Sequence, residues 1–482
     1  MLVSLYTVRV VLNTLGAEDY GIYNVVAGVV VLFSFVNNAM ATSVQRFLNF
    51  YLGKNDTEKT RNVYSASLVI HGIICLIFVV LAETAGLWFV NAKLNIPVER
   101  NSAAFWCYQA AVITTLANIM RVPYNAVIIA YEKMSFFAGL SIVEAVLKLV
   151  VVFLLKITPL DKLIFYSFLL AGVSFIILAI YKFYCNKNFE IAHYKKVQDR
   201  GLGKELVSFS GWSLFGAVAN VANSQGTNIV LNIFTNVTVN AAMGIANQVN
   251  AAVYSFVSNF QTAFNPQLVK SYAAGEKEEF QRLIFRTSKF SFLLLWLIVL
   301  PLSLNLKTVL TLWLKNVPDY SVGFVQLILI CSLVDCMTYP IAVAVQATGN
   351  IKFYQIIISC FIFANLPLSI LFLFWGGKSP YSVLFIRFFL CLLILVFRVA
   401  YLNFSQSFPV KNFIFQVLLK CAVIVVLSFF ITRLLTSHLA GLSYFVCSCL
   451  FSVFIIFVLS FPILFTSEER KYAFSFIKKV RR

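Results

Sequence analysis

Several ionisable side chains lie inside apolar stretches that are long enough to cross a bilayer. They are Arg9, Arg121, Glu144, Lys148, Lys307, Asp335, Arg387 and Lys420. A charged side chain at the centre of a membrane helix costs about 2.5–3.5 kcal/mol on insertion scales, so such residues mark substrate or ion paths unless something neutralises them. Lys307 and Lys420 lie near the ends of their stretches, where they can extend to the lipid headgroups.

Arg121 carries the clearest chemistry among these residues. Thr114, Asn118 and Asn125 share its helical face, because residues three or four apart line up along a helix. This polar stripe either lines a cavity or is neutralised by pairing of Arg121 with Asp335 or Glu144, and Glu144 can instead pair with Lys148 four residues away. Arginine matches phosphate geometry and keeps its charge when desolvated, so a cavity lined by arginines would bind an anion.

Amide side chains form two longer stripes, one from Asn220 to Asn232 and one from Asn247 to Asn265. Hydrogen bonding between membrane helices explains one or two such residues per helix. Two full stripes favour a hydrated cavity that binds a sugar. The predicted cavity residues are Arg9, Asn118, Arg121, Asn125, Asn220, Asn228, Asn232, Asn247, Asn250 and Arg387, and the ion-coupling candidates are Glu144 and Asp335.

Catalytic, metal-binding and cofactor-binding patterns do not emerge from the sequence. We find neither a paired general acid and base nor a nucleophile beside a base. The 10 Cys residues lie mostly in apolar stretches without a CxxC spacing, and the 3 His residues are far apart. The cysteines are therefore predicted to be buried apolar side chains, without a disulfide framework or a metal site. We expect no enzyme activity and no cofactor.

The elements that carry these residues must be membrane helices. The chain has 482 residues, of which 60% are hydrophobic and only 12% charged, which excludes a soluble enzyme. Continuous apolar stretches of 18 or more residues predict an all-α polytopic protein with about 14 transmembrane helices. They exclude a β-barrel, whose strands alternate apolar and polar residues. The predicted spans are 1–15, 21–45, 62–90, 101–130, 135–156, 161–184, 204–234, 238–268, 288–314, 320–348, 352–376, 380–402, 412–434 and 441–465.

The basic residues predict the orientation of these spans. Most of the 38 Lys and Arg residues, including Lys289 and Arg398, fall on one set of connections and on the tail. By the positive-inside rule that side is cytoplasmic, and so are both termini. The net charge of +19 is then explained by the membrane, and no nucleic-acid partner is expected.

The chain also repeats itself. Pro123 and Ala130 recur as Pro340 and Ala347, an offset of 217 residues, and Gln45 with Gly53 recurs at an offset of 222. We predict two homologous six-helix halves of shared topology, residues 1–200 and 201–405, followed by two further helices and a basic tail in 406–482. The first span is shorter than the roughly 20 residues required to cross a bilayer. We therefore expect about 15–20 further residues upstream of Met1, the alternative being a genuine half-span.

Several motifs resemble one known family. The stretch LNTLGAEDYGIY at 12–23 resembles a signature of polysaccharide flippases, and the second half carries similar patterns. These are SGWSLFG at 210–216, LNIF at 231–234, NAAMGIANQV at 240–249, NPQLVKSY at 265–272 and QATGN at 346–350. The resemblance covers essentially the whole chain and points to the Wzx-type O-antigen flippases of the MOP, multidrug exporter-like superfamily. Met243 departs from it, since a basic residue is expected at that position.

This resemblance implies a MATE-like fold and a bacterial inner-membrane transporter. The implied activity is flipping of an undecaprenyl-diphosphate-linked oligosaccharide from the cytoplasmic to the exoplasmic leaflet by alternating access. The implied partners are that lipid-linked oligosaccharide and membrane lipid, and association with polysaccharide polymerase machinery stays open. Two alternatives remain, a multidrug or cation exporter of the same superfamily and, with less support, a membrane-embedded polysaccharide polymerase or ligase.

Overall fold

The structure, a computed structural model, describes residues 10–11, 14–16, 19–23, 26, 34–93, 97–195, 200–235, 237–314, 317–375, 379–466 and 469–471. Most of the predicted first span, including Arg9, lies outside these residues. The helices are α1 Ser34–Gly53, α2 Thr57–Leu81, α3 Leu87–Lys93, α4 Asn101–Ala130, α5 Met134–Ile157, α6 Lys162–Asn188, α7 Arg200–Phe234, α8 Val237–Ala274, α9 Lys277–Leu304, α10 Leu306–Leu314, α11 Ser321–Thr348, α12 Lys352–Trp375, α13 Tyr381–Gln406, α14 Val410–Phe413, α15 Leu419–Thr436 and α16 Gly441–Ile463.

The predicted all-α polytopic membrane fold is confirmed. Within the described residues, 10 helices are long and apolar enough to cross a membrane. Some of these spans join two of the helices named above, as where a π-helical turn at Ala82–Gly86 links α2 to α3. The long helices α7 and α8 are not among the 10, and their many amide and hydroxyl side chains account for their lower hydropathy.

The chain forms two compact units, Met1–Val218 and Ala219–Arg482. In the first unit α4 packs against α1, α2 and α6, and α5 packs against α6. In the second unit α11 packs against α8, α9 and α13, α12 packs against α13, and α15 and α16 pack against each other and α9. The bounds of α11, α12 and α13 follow those of α4, α5 and α6 at close to the 217-residue sequence offset.

Polar caps and one charged cluster define helix ends in the first unit. Asp56 accepts a hydrogen bond from the Lys59 backbone N–H at 2.9 Å, and Asp161 accepts from two backbone N–H groups at the start of α6. The Arg100 guanidinium contacts both Asp161, at 2.6 Å, and Asp19 in the signature stretch. This arginine therefore joins the signature stretch to the start of α6.

Helices in the second unit extend beyond the predicted spans, which corrects two assignments. The predicted span 288–314 is in fact α9, which begins at Lys277 and ends before Asn305, followed by the short α10. Lys289 and Arg398, which lie close to the ends of their predicted spans and were counted with the basic connections, lie well inside α9 and α13. The apolar stretch marks only the part of a helix that meets hydrocarbon, so charged residues in the adjoining turns are missed.

Polar contacts along α9 and just after its end attach α15, α16 and the segment that follows them to the rest of the second unit. Lys289 pairs with Glu469 at 2.9 Å, and their side chains are only 6% and 14% exposed. Further along α9, Trp296 Nε1 donates to Ser428 Oγ at 2.9 Å, and just after the end of α9, Asn305 Nδ2 donates to Ser448 Oγ at 2.8 Å. Burial alone would raise the pKa of the Glu469 carboxyl, but the Thr466 N–H and Lys289 outweigh it and lower that pKa.

We expect Lys289→Met to lower the free energy of unfolding by about 3–5 kcal/mol, because it leaves Glu469 buried without its cation. The double variant Lys289→Met with Glu469→Leu should recover most of that loss, since it removes both buried charges. Thermal unfolding of the purified protein in detergent measures the effect. Equal melting temperatures for wild type and Lys289→Met would contradict a structural role for this ion pair.

Candidate functional site

The second unit contains a polar cavity of about 440 Å³ among α7, α8, α11, α12 and α13. Charged, amide, hydroxyl and thiol side chains share its walls with apolar residues. The polar and thiol-bearing lining residues are Asn220, Asn223, Asn250, Tyr254, Ser332, Asp335, Tyr339, Gln346, Tyr354, Gln355, Asn365, Arg387, Cys391 and Arg398. A smaller adjoining cavity of about 170 Å³ shares four of them and adds Asn247. The volume and mixed lining are typical of a ligand site.

Two arginines and one aspartate supply the charge of this cavity. Arg398 donates from Nη1 to Thr338 Oγ1 at 2.8 Å, while its buried Nε has no hydrogen-bond partner among the described residues. Asp335 lies within the electrostatic reach of both Arg387 and Arg398. No described residue lies close enough to either Arg387 or Asp335 to form an ion pair. The site is net positive and retains hydrogen-bond donors that a bound anion could occupy.

Amides form much of the remaining wall. Ser332 Oγ donates to Asn250 Oδ1 at 2.6 Å, so Asn250 keeps its amide N–H groups for other acceptors. Asn365 donates to Asn223 Oδ1 at 3.0 Å, and its own carbonyl oxygen is buried without a partner in the described part of the chain. Amides that combine donors and acceptors suit the hydroxyl groups of a sugar.

The two amide stripes therefore have different roles along their lengths. In α8, Asn247 and Asn250 line the cavities, whereas Gln261, further along, is buried and donates to Ser291 and to the Cys336 carbonyl, both at 3.0 Å. In α7, Asn220 lines the cavity, and Asn228 has a buried carbonyl oxygen without a partner among the described residues. Asn232 belongs to α7, but its side chain lies outside the described part.

The first unit contains a separate cavity of about 290 Å³ between α4, α5 and α6. Asn118 and Arg121 line it, together with Glu144 and Lys148. Glu144 accepts from Arg121 at 3.1 Å and from Lys148 at 2.6 Å, so one carboxylate lies between two cations. These three side chains are each between 28% and 46% exposed and carry a net charge of +1.

This geometry decides between the alternatives for Arg121. Its partner is Glu144, not Asp335. Arg121 also lines a cavity, so it has both an ion-pair partner and a cavity position. The Arg121 guanidinium lies 5.9 Å from the centre of the Tyr181 ring, and Tyr181 donates to Asn125 Oδ1 at 3.3 Å. Asn125 therefore helps to position the aromatic ring beside Arg121.

Sequence reasoning missed Arg398, Asn223 and Asn365 as cavity residues. Arg398 was counted with the basic connections because it lies only one helical turn before the end of its predicted span at 402, whereas α13 continues to Gln406. Asn223 lies three residues from Asn220 and therefore on the same face of α7, a spacing that could have indicated it. Asn365 stands alone in an apolar stretch, and only its contact with α7 reveals its role.

Within the described residues no group of three His, Cys, Asp or Glu side chains could hold a metal ion. The charged and hydrogen-bonding groups of the two cavities instead lie beside apolar walls and carry an excess of cations. Neither cavity contains a nucleophile hydrogen-bonded to a base among its described residues.

Comparisons with known proteins agree with this architecture. A family model described as "Polysaccharide biosynthesis protein" matches residues 1–274, and a model described as "MatE" matches residues 227–371. No curated protein matches the chain in sequence.

Several solved structures share the fold at low sequence identity. An outward-facing multidrug resistance MATE family transporter of the MOP superfamily matches with a TM-score of 0.70 at 13% identity, covering 84% of this chain and 92% of that one. A MATE in the bent conformation matches with a TM-score of 0.71 at 13% identity, covering 85% and 92%. A MOP superfamily transporter from Pyrococcus furiosus, whose binding pocket is described as having reverse polarity, matches with a TM-score of 0.68 at 12% identity, covering 86% and 93%.

Proposed function

Since this chain belongs to the polysaccharide biosynthesis protein family, whose model matches more than half of its length, we propose that this MOP-type transporter flips a lipid-linked oligosaccharide. The substrate class is an undecaprenyl-diphosphate-linked oligosaccharide for O-antigen, capsule or exopolysaccharide synthesis. It moves from the cytoplasmic to the exoplasmic leaflet of the bacterial inner membrane by alternating access. Both termini are cytoplasmic in this proposal.

One observation carries the proposal, namely the pair Arg387 and Arg398 beside amides in the cavity of the second unit. A diphosphate needs cationic donors that stay charged when water is excluded, and guanidinium provides them. Sugar hydroxyls need groups that both donate and accept, which Asn220, Asn223 and Asn250 provide. Arg121 and Lys148 offer a second cationic surface in the first unit.

The charge balance weighs against a cation exporter, the second candidate function. A cavity for organic cations would be expected to carry an excess of acidic groups, whereas each cavity here has two cations for one carboxylate. The reverse polarity described for the binding pocket of another MOP superfamily transporter supports the idea that pocket polarity follows the substrate in this fold. An inside-negative potential favours outward movement of an anion by about 2.3 kcal/mol per charge per 100 mV. Coupling of transport to proton or sodium movement through Glu144 or Asp335 is the alternative source of energy. Association with polysaccharide polymerase machinery is compatible with the proposed function.

Transport into the outer leaflet of proteoliposomes tests the function. We expect a fluorescent undecaprenyl-diphosphate oligosaccharide to become accessible to an added lectin when the chain is present, and not in protein-free vesicles. A lipophilic organic cation loaded in the same vesicles should not be exported. Export of that cation together with an unmoved lipid-linked sugar would replace the proposal by the exporter function.

We expect Asn250→Leu to insert and fold normally but to lower transport about tenfold, the loss of roughly one net hydrogen bond. Ser332 loses its acceptor in this variant, but it also lines the cavity, where water can replace that acceptor. Gln261→Leu is the matched control, because Gln261 bonds Ser291 and Cys336 away from the cavity and its loss should reduce protein abundance instead. Reduced abundance with unchanged transport per molecule in Asn250→Leu would assign Asn250 to helix packing.

A further inference from the structure

Two free cysteines face each other between α11 and α13 in the second unit. Cys331 is fully buried and Cys391 is 6% exposed, and together with Val334 they form one packed cluster. Neither is engaged in a disulfide in this structure. Sequence spacing gave no sign of the pair, because 60 residues separate its members.

The register of the two helices explains why these thiols meet. Arg398 on α13 contacts Thr338 on α11, and these residues are also 60 positions apart. The two pairs are therefore successive contacts along the same interface between α11 and α13. One involves the two thiols, and the other involves the guanidinium of Arg398. The thiol pair lies one helical turn from Asp335 along α11 and one turn from Arg387 along α13.

The pair is open to chemistry because Cys391 lines the 440 Å³ cavity. A small water-soluble reagent can reach this thiol through the cavity. A thiolate is the attacking species in disulfide exchange.

The repeat of the chain makes this pair specific to the second unit. At the 217-residue offset, Cys331 and Cys391 correspond to Thr114 and Ser174. Both of these line the cavity of the first unit, so the positions are equivalent in place but carry hydroxyl groups. Hydroxyls cannot form a disulfide, so at these two positions thiol chemistry is possible only in the second unit.

We propose that Cys331 and Cys391 form a reversible disulfide that locks the cavity of the second unit. The Cys391 thiolate attacks a low-molecular-mass disulfide, forming a mixed disulfide and releasing one small thiol. The Cys331 thiol then displaces the second small thiol, so two electrons pass to the small disulfide and the two cysteine protons end on the small thiols. The new bond ties α11 to α13 between Arg387 and Asp335, and their separation can no longer change.

The effect on transport rests on the proposed flippase function, whereas formation of the bond does not. A disulfide fixes the Cα atoms at about 4.4–6.8 Å, so it prevents relative movement of the helices that hold both arginines. A transporter that works by alternating access needs such movement, and the oxidised protein should therefore be inactive.

Oxidised glutathione added to the purified full-length chain tests the proposal. We expect peptide mass spectrometry without reductant to find the peptides of Cys331 and Cys391 joined, and reductant to separate them. Oxidation should also raise the melting temperature of wild type but not of Cys331→Ser or Cys391→Ser. Cys360→Ser is the matched control, because Cys360 is exposed on α12 and its removal should leave the cross-link and the melting shift intact.

In proteoliposomes, oxidation should reduce sugar-lipid transport to the level of protein-free vesicles in wild type and Cys360→Ser, with recovery after reduction. Absence of the joined peptides under conditions that fully modify Cys360 would overturn the proposal. Joined peptides with unchanged transport or an unchanged melting temperature would overturn the lock. If reduced wild-type protein moves no lipid-linked sugar, the proposed function is wrong. The joined peptides and the change in melting temperature still test the disulfide proposal in that case.

Discussion

Replacing Arg387 by alanine is expected to lower transport of a diphosphate-linked oligosaccharide about ten- to hundredfold without reducing protein abundance. Arg387 lines both polar cavities described above and forms no ion pair with a described residue, and Asp335 keeps Arg398 as a neighbouring cation when Arg387 is removed. A hydrogen bond to a charged group contributes about 1.5–3 kcal/mol, which corresponds to this range. Transport per molecule is measured in proteoliposomes, with abundance quantified in the same membranes.

The lysine variant of Arg387 sharpens this test. Arg387→Lys keeps the charge but loses the planar fork that binds two phosphate oxygens, so transport should fall between wild type and alanine. Arg282→Ala is the control for loss of a positive charge elsewhere, since the Arg282 side chain is 61% exposed and paired with Glu279. Wild-type transport by Arg387→Ala would exclude this residue from phosphate binding, and equal losses in Arg282→Ala would point to net charge alone.

Neutralising Arg121 is expected to reduce both abundance and transport, because this arginine has a structural partner and a cavity position. Arg121→Ala leaves Glu144 with Lys148 as its only cation, a loss of about 1.5–3 kcal/mol for the charged hydrogen bond. Arg121→Lys should transport better than alanine but less than wild type, since lysine lacks the bidentate geometry. Complementation of surface polysaccharide and membrane abundance are measured side by side.

A double variant separates the two roles of Arg121. Arg121→Gln with Glu144→Gln removes the pair together, and Lys148, which is 46% exposed, can then extend toward water. We expect abundance to recover in this variant while transport stays low, because the phosphate-binding charge is still missing. Recovery of transport along with abundance would assign Arg121 to structure, and Glu144→Gln alone serves as the reference for an unpaired cation.

The location of the first-unit site was predictable in part because its residues share one helix. Asn118, Arg121 and Asn125 follow helical spacing within α4, and their common face needs no tertiary information. The partner of Arg121 was not predictable. Glu144 and Asp335 were equivalent in sequence, and only the packing of α4 beside α5 brings Glu144 within 3.1 Å of the guanidinium.

The amide stripes were also predictable only in part. Their periodicity predicts polar faces on α7 and α8, but spacing does not show whether a polar face meets water or another helix. Packing determines the environment of each amide, since Asn250 reaches the cavity while Gln261 is enclosed by Ser291 and Cys336. Apolar stretches likewise underestimated helix length, which concealed Arg398 and the buried Lys289.

The sequence by itself therefore determined the properties that depend on local composition. Uninterrupted apolar stretches require helices in a bilayer, because every backbone N–H and C=O must be bonded within its own segment. The repeat and the polar faces follow from order and spacing along single helices. Contacts between residues far apart in the chain were decided only by the tertiary structure, including Lys289 with Glu469, Arg398 with Thr338 and Cys331 with Cys391. Such pairs depend on the register between packed helices, which no single segment encodes.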